Sequence, residues 1–465
     1  MISKTNIATK KELTGKIAYL CAFFNHFYYT MKRLIPIVLL FAAVASASAQ
    51  EITKTGLNFG PLPAVGYSSD LGWHYGVLSD IYWYGDGSTY PEYMWKANVE
   101  VSRYSKGNTV LHSFFDSKYL IPGLRVSAAV SWFGNKTTNF YGFNGANSLY
   151  IPEMDMISEA GQGLYLMRRD IFRVQTCFQG TFGDSNWGWA AGLTYWNIKT
   201  GHAENKGLSG NANDVSLYDV YVRNGVIPEA EKNGGQHLEI KAGVVYDTRD
   251  FENNPTRGTN LEAYVFGSPD IISKHDNNYL KLAVHFKQFF PLAERLVFGG
   301  HLAYQGLIAG NAPYYMLQTI QSINMKQINT EGLGSTCTLR GTITNRLQGN
   351  SYAWSNFELR WTFAKFRAAN QNWALATNPF FDMGMIVSPY RLDQMKGLSA
   401  DKTVVASVDG KDYTAADLYT QQAEKLHMSA GIGLHVIMNQ NFNINFEFGK
   451  CFDKNDGAGL GINIG

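Results

Sequence analysis

The strongest constraint in this sequence is an alternation of apolar and polar residues that recurs along most of the chain. Near the C-terminus, apolar side chains stand at every second position of residues 428–438 and again of residues 442–448. Because successive side chains of a β-strand point to opposite faces, a period of two predicts strands with one apolar face. Residues 439–441 between the two segments predict a tight hairpin turn.

About sixteen such segments can be counted from residue 61 onward, each roughly 8 to 16 residues long. Four of the clearest are residues 92–104, 237–247, 279–286 and 357–363. In each of them one face is apolar and the other carries Lys, Asn, Glu, Arg or Gly. A tilted strand of this length is long enough to cross a lipid bilayer.

The connections between these segments alternate in length. Short turns lie near Asp184, Glu252, Glu294 and Gln440, and long excursions cover about residues 135–162, 200–235, 309–349 and 388–426. In an outer-membrane barrel the short turns face the periplasm and the long loops face outside. A soluble β-sandwich or propeller, the main alternative, does not explain this alternation together with apolar outer faces on so many strands.

Only helices and closed barrels satisfy the hydrogen bonds of the backbone in lipid. The sequence therefore predicts an all-β fold, a 16-stranded antiparallel transmembrane β-barrel with long extracellular loops. A barrel of this size encloses an aqueous lumen. Either something fills the lumen or the barrel is a pore.

The N-terminal region predicts export from the cytoplasm. A basic start at Met31-Lys32-Arg33, an apolar run and the small residues Ala47-Ser48-Ala49 have the layout of a secretory signal. We therefore expect residues 1–30 to be a mis-assigned upstream extension, or alternatively an extra anchor at residues 17–29. We expect residues 31–49 to be the signal peptide, residues 50–60 a short periplasmic segment and residues 61–465 the barrel, in the bacterial outer membrane.

Composition and motifs exclude several functional classes. Without residues 1–49 the chain has 34 basic and 37 acidic residues and shows no basic patch, so no nucleic-acid partner is expected. Three widely spaced cysteines, Cys177, Cys337 and Cys451, indicate neither a disulfide framework nor a metal site. The common hydrolase, zinc-protease and P-loop motifs are missing, so the sequence predicts no enzyme, no catalytic residues and no cofactor.

One charged residue at the end of the excursion 309–349 requires a partner if that loop enters the lumen. A buried Arg340 is tolerated only beside a carboxylate. The alternation in residues 357–361 and 380–385 points Glu358, Arg360 and Asp382 into the lumen. The planar guanidinium of Arg340 can bind such a carboxylate with two parallel hydrogen bonds, and Gly341 permits a tight turn beside it.

The two ends of the predicted barrel also differ from the other strands. Pro61 and Pro63 remove N–H donors from the first strand, and Gly457, Gly459 and Gly461 loosen the last one. Because these strands must meet in a closed barrel, the seam between them is predicted to be weak. The plainer interpretation is that termini are irregular.

At this point the chain resembles the outer-membrane assembly-factor superfamily, the bacterial surface-antigen barrels that include BamA, TamA and the two-partner secretion transporters. Leu339-Arg340-Gly341 is similar to the Arg-Gly-Phe/Tyr motif at the tip of that family's sixth extracellular loop, although Thr342 replaces the aromatic residue. Glu358-Leu359-Arg360 is similar to the motif of its twelfth strand. The resemblance implies that loop 6 folds into the lumen.

Two further motifs carry the same resemblance. Phe380, Asp382 and Gly384 match the Phe-x-Asp-x-Gly motif of the family's thirteenth strand. A periplasmic turn, Asp-x-Arg-Asp followed by Pro-x-x-Gly, is matched at residues 246–258 by Asp247, Arg249, Asp250, Pro255 and Gly258. The four motifs occur in the family's order and cover roughly residues 57–465.

The resemblance implies a barrel that assists insertion or translocation of protein or lipid at the outer membrane. Family members usually carry periplasmic POTRA domains, and only about ten residues precede the first predicted strand, so we expect a member without them. Outer-membrane lipid is the expected surrounding. Other envelope proteins that supply periplasmic domains are candidate partners. A porin-like solute channel and an accessory barrel without transport activity are the alternatives.

Overall fold

The computed structural model describes residues 51–68, 72–105, 107–155, 163–204, 215–272, 277–323, 332–334, 337–453 and 458–464. The predicted upstream extension and signal peptide lie outside the described residues. The described chain is a nearly closed antiparallel barrel, as the alternation predicted.

Sixteen barrel strands, numbered β1 to β16, follow one another along the chain. Their bounds are Leu57–Ser68, Gly72–Trp83, Trp95–Tyr104, Thr109–Ile121, Leu124–Gly134, Leu166–Thr181, Trp187–His202, Gly234–Asp247, Gly258–Ser268, Tyr279–Ala293, Leu296–Gly310, Ser351–Ala368, Gln371–Ser388, His427–Met438, Phe442–Cys451 and Ala458–Ile464. Each strand pairs antiparallel with the next, from β1 with β2 through β15 with β16.

The barrel begins at Leu57 rather than at the predicted residue 61. Leu57 and Asn58 already pair with Trp83 and Tyr82 of β2, and the ladder continues through both prolines of β1. Among the described ladders β1 pairs with β2 alone. A strand with one unpaired edge tolerates proline because that edge needs no N–H donor.

The outward face of the barrel is apolar. Val99 and Val101 of β3, and Val130 and Trp132 of β5, are large exposed side chains of this kind. Near the short turns aromatic rings pack against each other between strands, as in Trp83 with Trp95, Trp187 with Tyr246, and Phe298 with Phe357. Such a girdle is typical of the interface between lipid and water in outer-membrane barrels.

The inward face is polar and carries paired charges. Lys96 of β3 lies 2.8 Å from Asp80 of β2, and Arg125 of β5 lies 2.8 Å from Asp116 of β4. All of these groups are largely withdrawn from solvent. They occupy the strand positions between the lipid-facing residues, so the two faces follow directly from the period of two.

The described parts of the four long loops pack together as a cap at one end of the barrel. These loops are residues 135–165, 203–233, 311–350 and 389–426. Phe143 touches a ring from each of the other three loops: Tyr221 at 5.5 Å, Tyr314 at 6.3 Å and Tyr390 at 4.8 Å between centroids. The loop cap also contains three short helices, α1 Pro152–Asp155, α2 Leu217–Arg223 and α3 Leu392–Gly397, and a hairpin of Val404–Val408 and Lys411–Thr414. Among the described residues no helix has the length and apolar character needed to span a membrane.

The seam between the first and last strands is the weakest part of the sheet. β16 has seven residues, and the described ladders include none that joins it to β1. At the short-turn end, Phe442 of β15 packs against Gly60 of β1. The segment before β1 crosses beneath β13, because Ile52 and Asn372 exchange hydrogen bonds of 2.9 and 2.8 Å.

Candidate functional site

Loop 6 is the connection of residues 311–350 between β11 and β12. Its described parts contact the inward faces of the barrel wall. Leu339, Arg340 and Gly341 lie at its tip, and each makes a different kind of contact.

Arg340 lies among three carboxylates from three strands. Its Nε and Nη2 donate to the two oxygens of Asp382, each at 2.8 Å, and its main-chain N–H donates to the same carboxylate at 3.0 Å. Nη1 donates to Glu447 at 2.8 Å and to Glu358 at 3.2 Å. The guanidinium therefore uses both edges of its fork, the arrangement that makes Arg–carboxylate hydrogen bonds strong.

Neighbouring side chains cover this charge cluster and hold its members in place. Phe380 covers the guanidinium with its ring centroid 3.9 Å from the central carbon, a cation–π contact. Asn378 donates to Glu358 and Glu447 at 3.0 and 3.2 Å, which holds the two carboxylates in place. Asp382 is fully buried, so removal of Arg340 would leave an unpaired buried charge.

Leu339 and Gly341 fix the loop 6 tip by close packing against the barrel wall. Leu339 is fully buried in an apolar cluster with Ile320, Leu333 and Leu347 of loop 6 against the wall residues Ala303, Tyr352, Trp354 and Ile386. Gly341 has a φ of +81°, and a side-chain carbon there would lie 2.4 Å from the backbone of Gly449 in β15. Thr342, which replaces the aromatic residue of the related motif, is buried as well.

The Phe-x-Asp-x-Gly pattern of β13 has a physical explanation in these contacts. Phe380, Asp382 and Gly384 share the inward face because they are two positions apart. Phe380 covers the guanidinium and Asp382 binds it. A side-chain carbon at Gly384 would lie 3.1 Å from Leu333 of loop 6, so glycine leaves room for the loop.

Glu358 and Arg360 of β12 both face the lumen, but they take different roles. Glu358 accepts from Arg340 with one oxygen and lies 3.3 Å from Arg360 with the other. Arg360 does not bind the loop 6 tip, with which it shares only this carboxylate. Its guanidinium instead points toward the short-turn end, because two cations repel each other.

There Arg360 meets the motif turn, residues 248–257 between β8 and β9. Asp247, the last residue of β8, binds the guanidinium of Arg249 in this turn. Asp250 accepts from the main-chain N–H groups of Phe251 and Thr256 at 3.0 and 2.9 Å. Gly258 ends the turn with a φ of +102°, and a side-chain carbon there would lie 2.3 Å from a carbonyl oxygen. Glycine is required at that position.

The motif turn has shifted pKa values that follow from these contacts. Partial burial alone would raise the pKa of Asp250, but hydrogen bonds from Thr256 and Arg257 hold it below its ordinary value. Burial would lower the pKa of Arg249, and the carboxylate of Asp247 raises it above its ordinary value. Both groups are therefore charged near neutral pH.

The tip of the motif turn crosses the lumen. Glu252 accepts from Arg125 of β5 at 2.9 and 3.0 Å. Asn253 donates to Asn441, in the turn before β15, at 2.9 Å. On a third side, Arg360 of β12 donates to the side chain of Asn254 and the carbonyl of Pro255 at 3.0 and 2.5 Å.

Several of these contacts were not anticipated from the sequence. Glu447 stands on the polar face of β15, so the alternation could have identified it as a partner of Arg340. Its reach across β14 depends on Gly433, where a side-chain carbon would lie 3.0 Å from Glu447. No comparable pattern in the sequence predicted the contact of Gly341 with Gly449.

The chain was compared with known proteins. A family model described as an Omp85 superfamily domain matches residues 95–465. No curated protein sequence matches the chain significantly. Among solved structures, BamA from Haemophilus ducreyi lacking POTRA domains 1–3 is 16% identical over 88% of this chain and 70% of that one, with a TM-score of 0.47.

CdiB from Escherichia coli is 11% identical over 90% of this chain, with a TM-score of 0.50. The matched region covers 62% of the CdiB chain, less than two thirds of its length. At 11% sequence identity, the similarity to CdiB shows a shared fold and nothing more. The family model, by contrast, spans most of the sequence and includes all four motifs. The chain belongs to the Omp85 superfamily of bacterial outer-membrane β-barrels.

Proposed function

We propose that this barrel assists the insertion or translocation of protein or lipid at the outer membrane, alone or as a subunit of an envelope complex, without catalysing a reaction. The observation that carries the proposal is the anchoring of loop 6. Arg340 is fixed by three carboxylates inside the barrel, and Leu339 and residues 315–323 of the same loop contact the inner wall. A barrel whose lumen holds its own loop suits regulated passage better than constant diffusion.

This anchoring also weighs against the solute-channel alternative. A porin needs a lumen that is open to water from both sides. Here the loop cap buries aromatic residues from four loops at one end, and the motif turn crosses the other. The incomplete pairing of β1 and β16 supports a role in which cargo leaves sideways into the membrane.

Partners form part of the proposal. The CdiB chain of the solved structure extends beyond the region matched here, which covers 62% of it. We propose that envelope proteins with periplasmic domains dock at the short-turn end of this barrel. Native purification from outer membranes followed by mass spectrometry should then recover a stable complex.

Depletion of the protein tests the function directly. We expect outer-membrane proteins or lipids to fall in amount in quantitative mass spectrometry of purified outer membranes. Wild-type protein should restore them, and Arg340→Ala should not. Lys199→Met, which removes an exposed outward lysine of β7, is the matched control and should restore them fully. Normal envelope composition after clean deletion would contradict the proposal.

A further inference from the structure

The inner wall between β6 and β12 holds loop 6 through main-chain groups. The segment in question, called the wall-bound segment, is Tyr314–Ile323. After a short 3-10 turn at Tyr314–Met316 it has no helical or ladder hydrogen bonding of its own. Seven of its carbonyl groups accept hydrogen bonds from wall side chains instead.

The donors come from six strands. Arg169 of β6 donates to the carbonyl of Tyr315 at 2.7 Å, and Lys281 of β10 donates to that of Met316 at 3.1 Å. Lys241 of β8 donates to Ser322 and Ile323 at 2.9 and 3.2 Å. The remaining contacts run from Tyr352 to Leu317, from Gln305 to Thr319, and from Tyr264 and His285 to Gln321.

The wall also accepts from main-chain N–H groups. Gln305 accepts from the N–H of Gln321 at 2.9 Å, so this side chain binds the segment with both of its polar atoms. Glu262 of β9 accepts from the N–H of Ile323 at 3.1 Å. The wall thus provides many donors for main-chain carbonyls and two acceptors for main-chain N–H groups.

The cations of the wall are unusual because they face carbonyls and not carboxylates. Arg169, Lys241 and Lys281 are each 2% exposed, and among the described residues none of them forms an ion pair. A buried cation is costly unless strong hydrogen bonds replace its water. Here the main chain of loop 6 supplies those bonds. A carbonyl is common to every amino acid, so this recognition does not depend on sequence.

The wall continues beyond the wall-bound segment into a polar chamber of about 350 Å³, between Ser322 and Ile323 and the motif turn. Asn260 of β9 lines this chamber, is 1% exposed, and its side-chain oxygen has no hydrogen-bond partner among the described residues. Asn443 and Asn445 of β15 also line the chamber, and their side-chain oxygens have no hydrogen-bond partner among the described residues. A polypeptide segment that entered this chamber could form hydrogen bonds with these asparagine side chains.

We propose that the inner wall between β6 and β12 is a binding site for extended polypeptide main chain, which loop 6 occupies in this state. A segment of another polypeptide takes the same donors when loop 6 leaves, and it reaches them through the chamber. The inference rests on the proposed function and identifies the wall side chains that would bind the main chain of a polypeptide cargo. Loop 6 acts as a tethered competitor, and its effective concentration keeps weak ligands out.

Binding of defined peptides to the purified full chain in detergent tests this. The probes are a fluorescent decapeptide with the sequence of residues 314–323 and a scrambled version of the same composition. The Arg340→Ala variant frees the wall, and Asp382→Asn does so by a second route. We expect both peptides to bind either variant with affinities within about threefold of each other, and wild type at least roughly tenfold more weakly.

The wall residues and the carbonyls are tested separately. Lys241→Met in the Arg340→Ala background should weaken both peptides roughly tenfold, because a charge-assisted hydrogen bond is lost. Lys199→Met in the same background is the control and should not. A decapeptide in which an alkene isostere replaces the peptide bond at the carbonyl of Ser322 should lose a comparable factor.

Three results would overturn the inference. They are binding of the native sequence alone, equal binding after Lys241→Met, or no binding in a variant whose loop 6 has left the wall. Increased maleimide labelling of Cys337 in loop 6 reports its departure, and heat-modifiable migration in gels reports that the barrel is folded. These outcomes are independent of the depletion phenotype, so failure here would leave the proposed function standing.

Discussion

Loop 6 and the motif turn enter the same lumen from opposite ends, but different chemistry holds them. The loop 6 tip combines an apolar cluster around Leu339 with Arg340, whose side chain is 9% exposed. The motif turn is anchored by polar contacts, and its Glu252 side chain is 28% exposed. Water and salt therefore reach the Glu252 carboxylate more readily than they reach the Arg340 guanidinium.

The difference in exposure predicts that the loop 6 tip is held more firmly than the motif turn. Ion pairs that are shielded from water lose little strength to salt, whereas solvent-reached pairs are screened and contribute about 0 to 1 kcal/mol. Removal of one partner of a shielded pair costs about 3 to 5 kcal/mol. We infer that the periplasmic side of the lumen opens first, and that loop 6 is released only by a stronger competing interaction.

The largest effect is expected from Arg340→Ala. The change leaves three carboxylates without their guanidinium and should cost about 3 to 5 kcal/mol of stability. Thermal unfolding in detergent should shift to lower temperature, and conductance in planar bilayers should rise from a low wild-type level as loop 6 detaches. High wild-type conductance that Arg340→Ala does not change would rule out loop 6 as a plug.

A second large effect is expected where loop 6 meets β15. Gly341→Ala places a carbon 2.4 Å from the backbone of Gly449 and is strained by the positive φ. The tip should fail to seat, and thermal stability should fall by roughly 1 to 3 kcal/mol. Gly397→Ala in the loop cap, where a side-chain carbon meets no atom within 4 Å, is the control. Equal melting temperatures for the two variants would contradict the close contact.

A smaller effect is expected at the motif turn. Glu252→Gln removes the ion pair with Arg125 and should cost no more than about 1 kcal/mol, because the pair is partly exposed. The readout is labelling of Asn445→Cys, at the chamber wall, by an impermeant maleimide added from the short-turn side. Labelling should rise severalfold with Glu252→Gln or with high salt. If labelling rose only when Arg340 was replaced, and not with Glu252→Gln or high salt, the motif turn would not open more easily than loop 6.

The smallest effect concerns pH. The pKa of Asp250 is depressed in the folded turn, so its contribution to stability is present above the unfolded value of about 3.9 and is lost as pH falls through the folded value. Labelling of the chamber cysteine should therefore stay constant from pH 7 to about pH 5 and rise only in stronger acid. A rise near neutral pH would point to a different titrating group.

The alternation of residues predicted the strands and the alternating loop lengths because it depends on local geometry alone. The same parity placed Asp382 and Glu358 on the lumen side, where the structure brings both to Arg340. It could not show that Arg360 turns away to the motif turn, because that depends on which charges share one cavity. The main-chain contacts of Tyr314–Ile323 could not be predicted, because every residue has a carbonyl group and the sequence does not show which of them bind the wall.

The loop cap has a consequence for the order of folding. Phe143 and Tyr390 lie 4.8 Å apart between ring centroids, but 247 positions separate them in the chain. Contacts of such long range form late, because the intervening chain must first be organised. The sheet from β5 to β13 must therefore be in place before the cap can assemble. Each newly made molecule passes through a stage in which its outer end is open, and an exported or inserting chain present at that moment would compete with loop 6 for the wall.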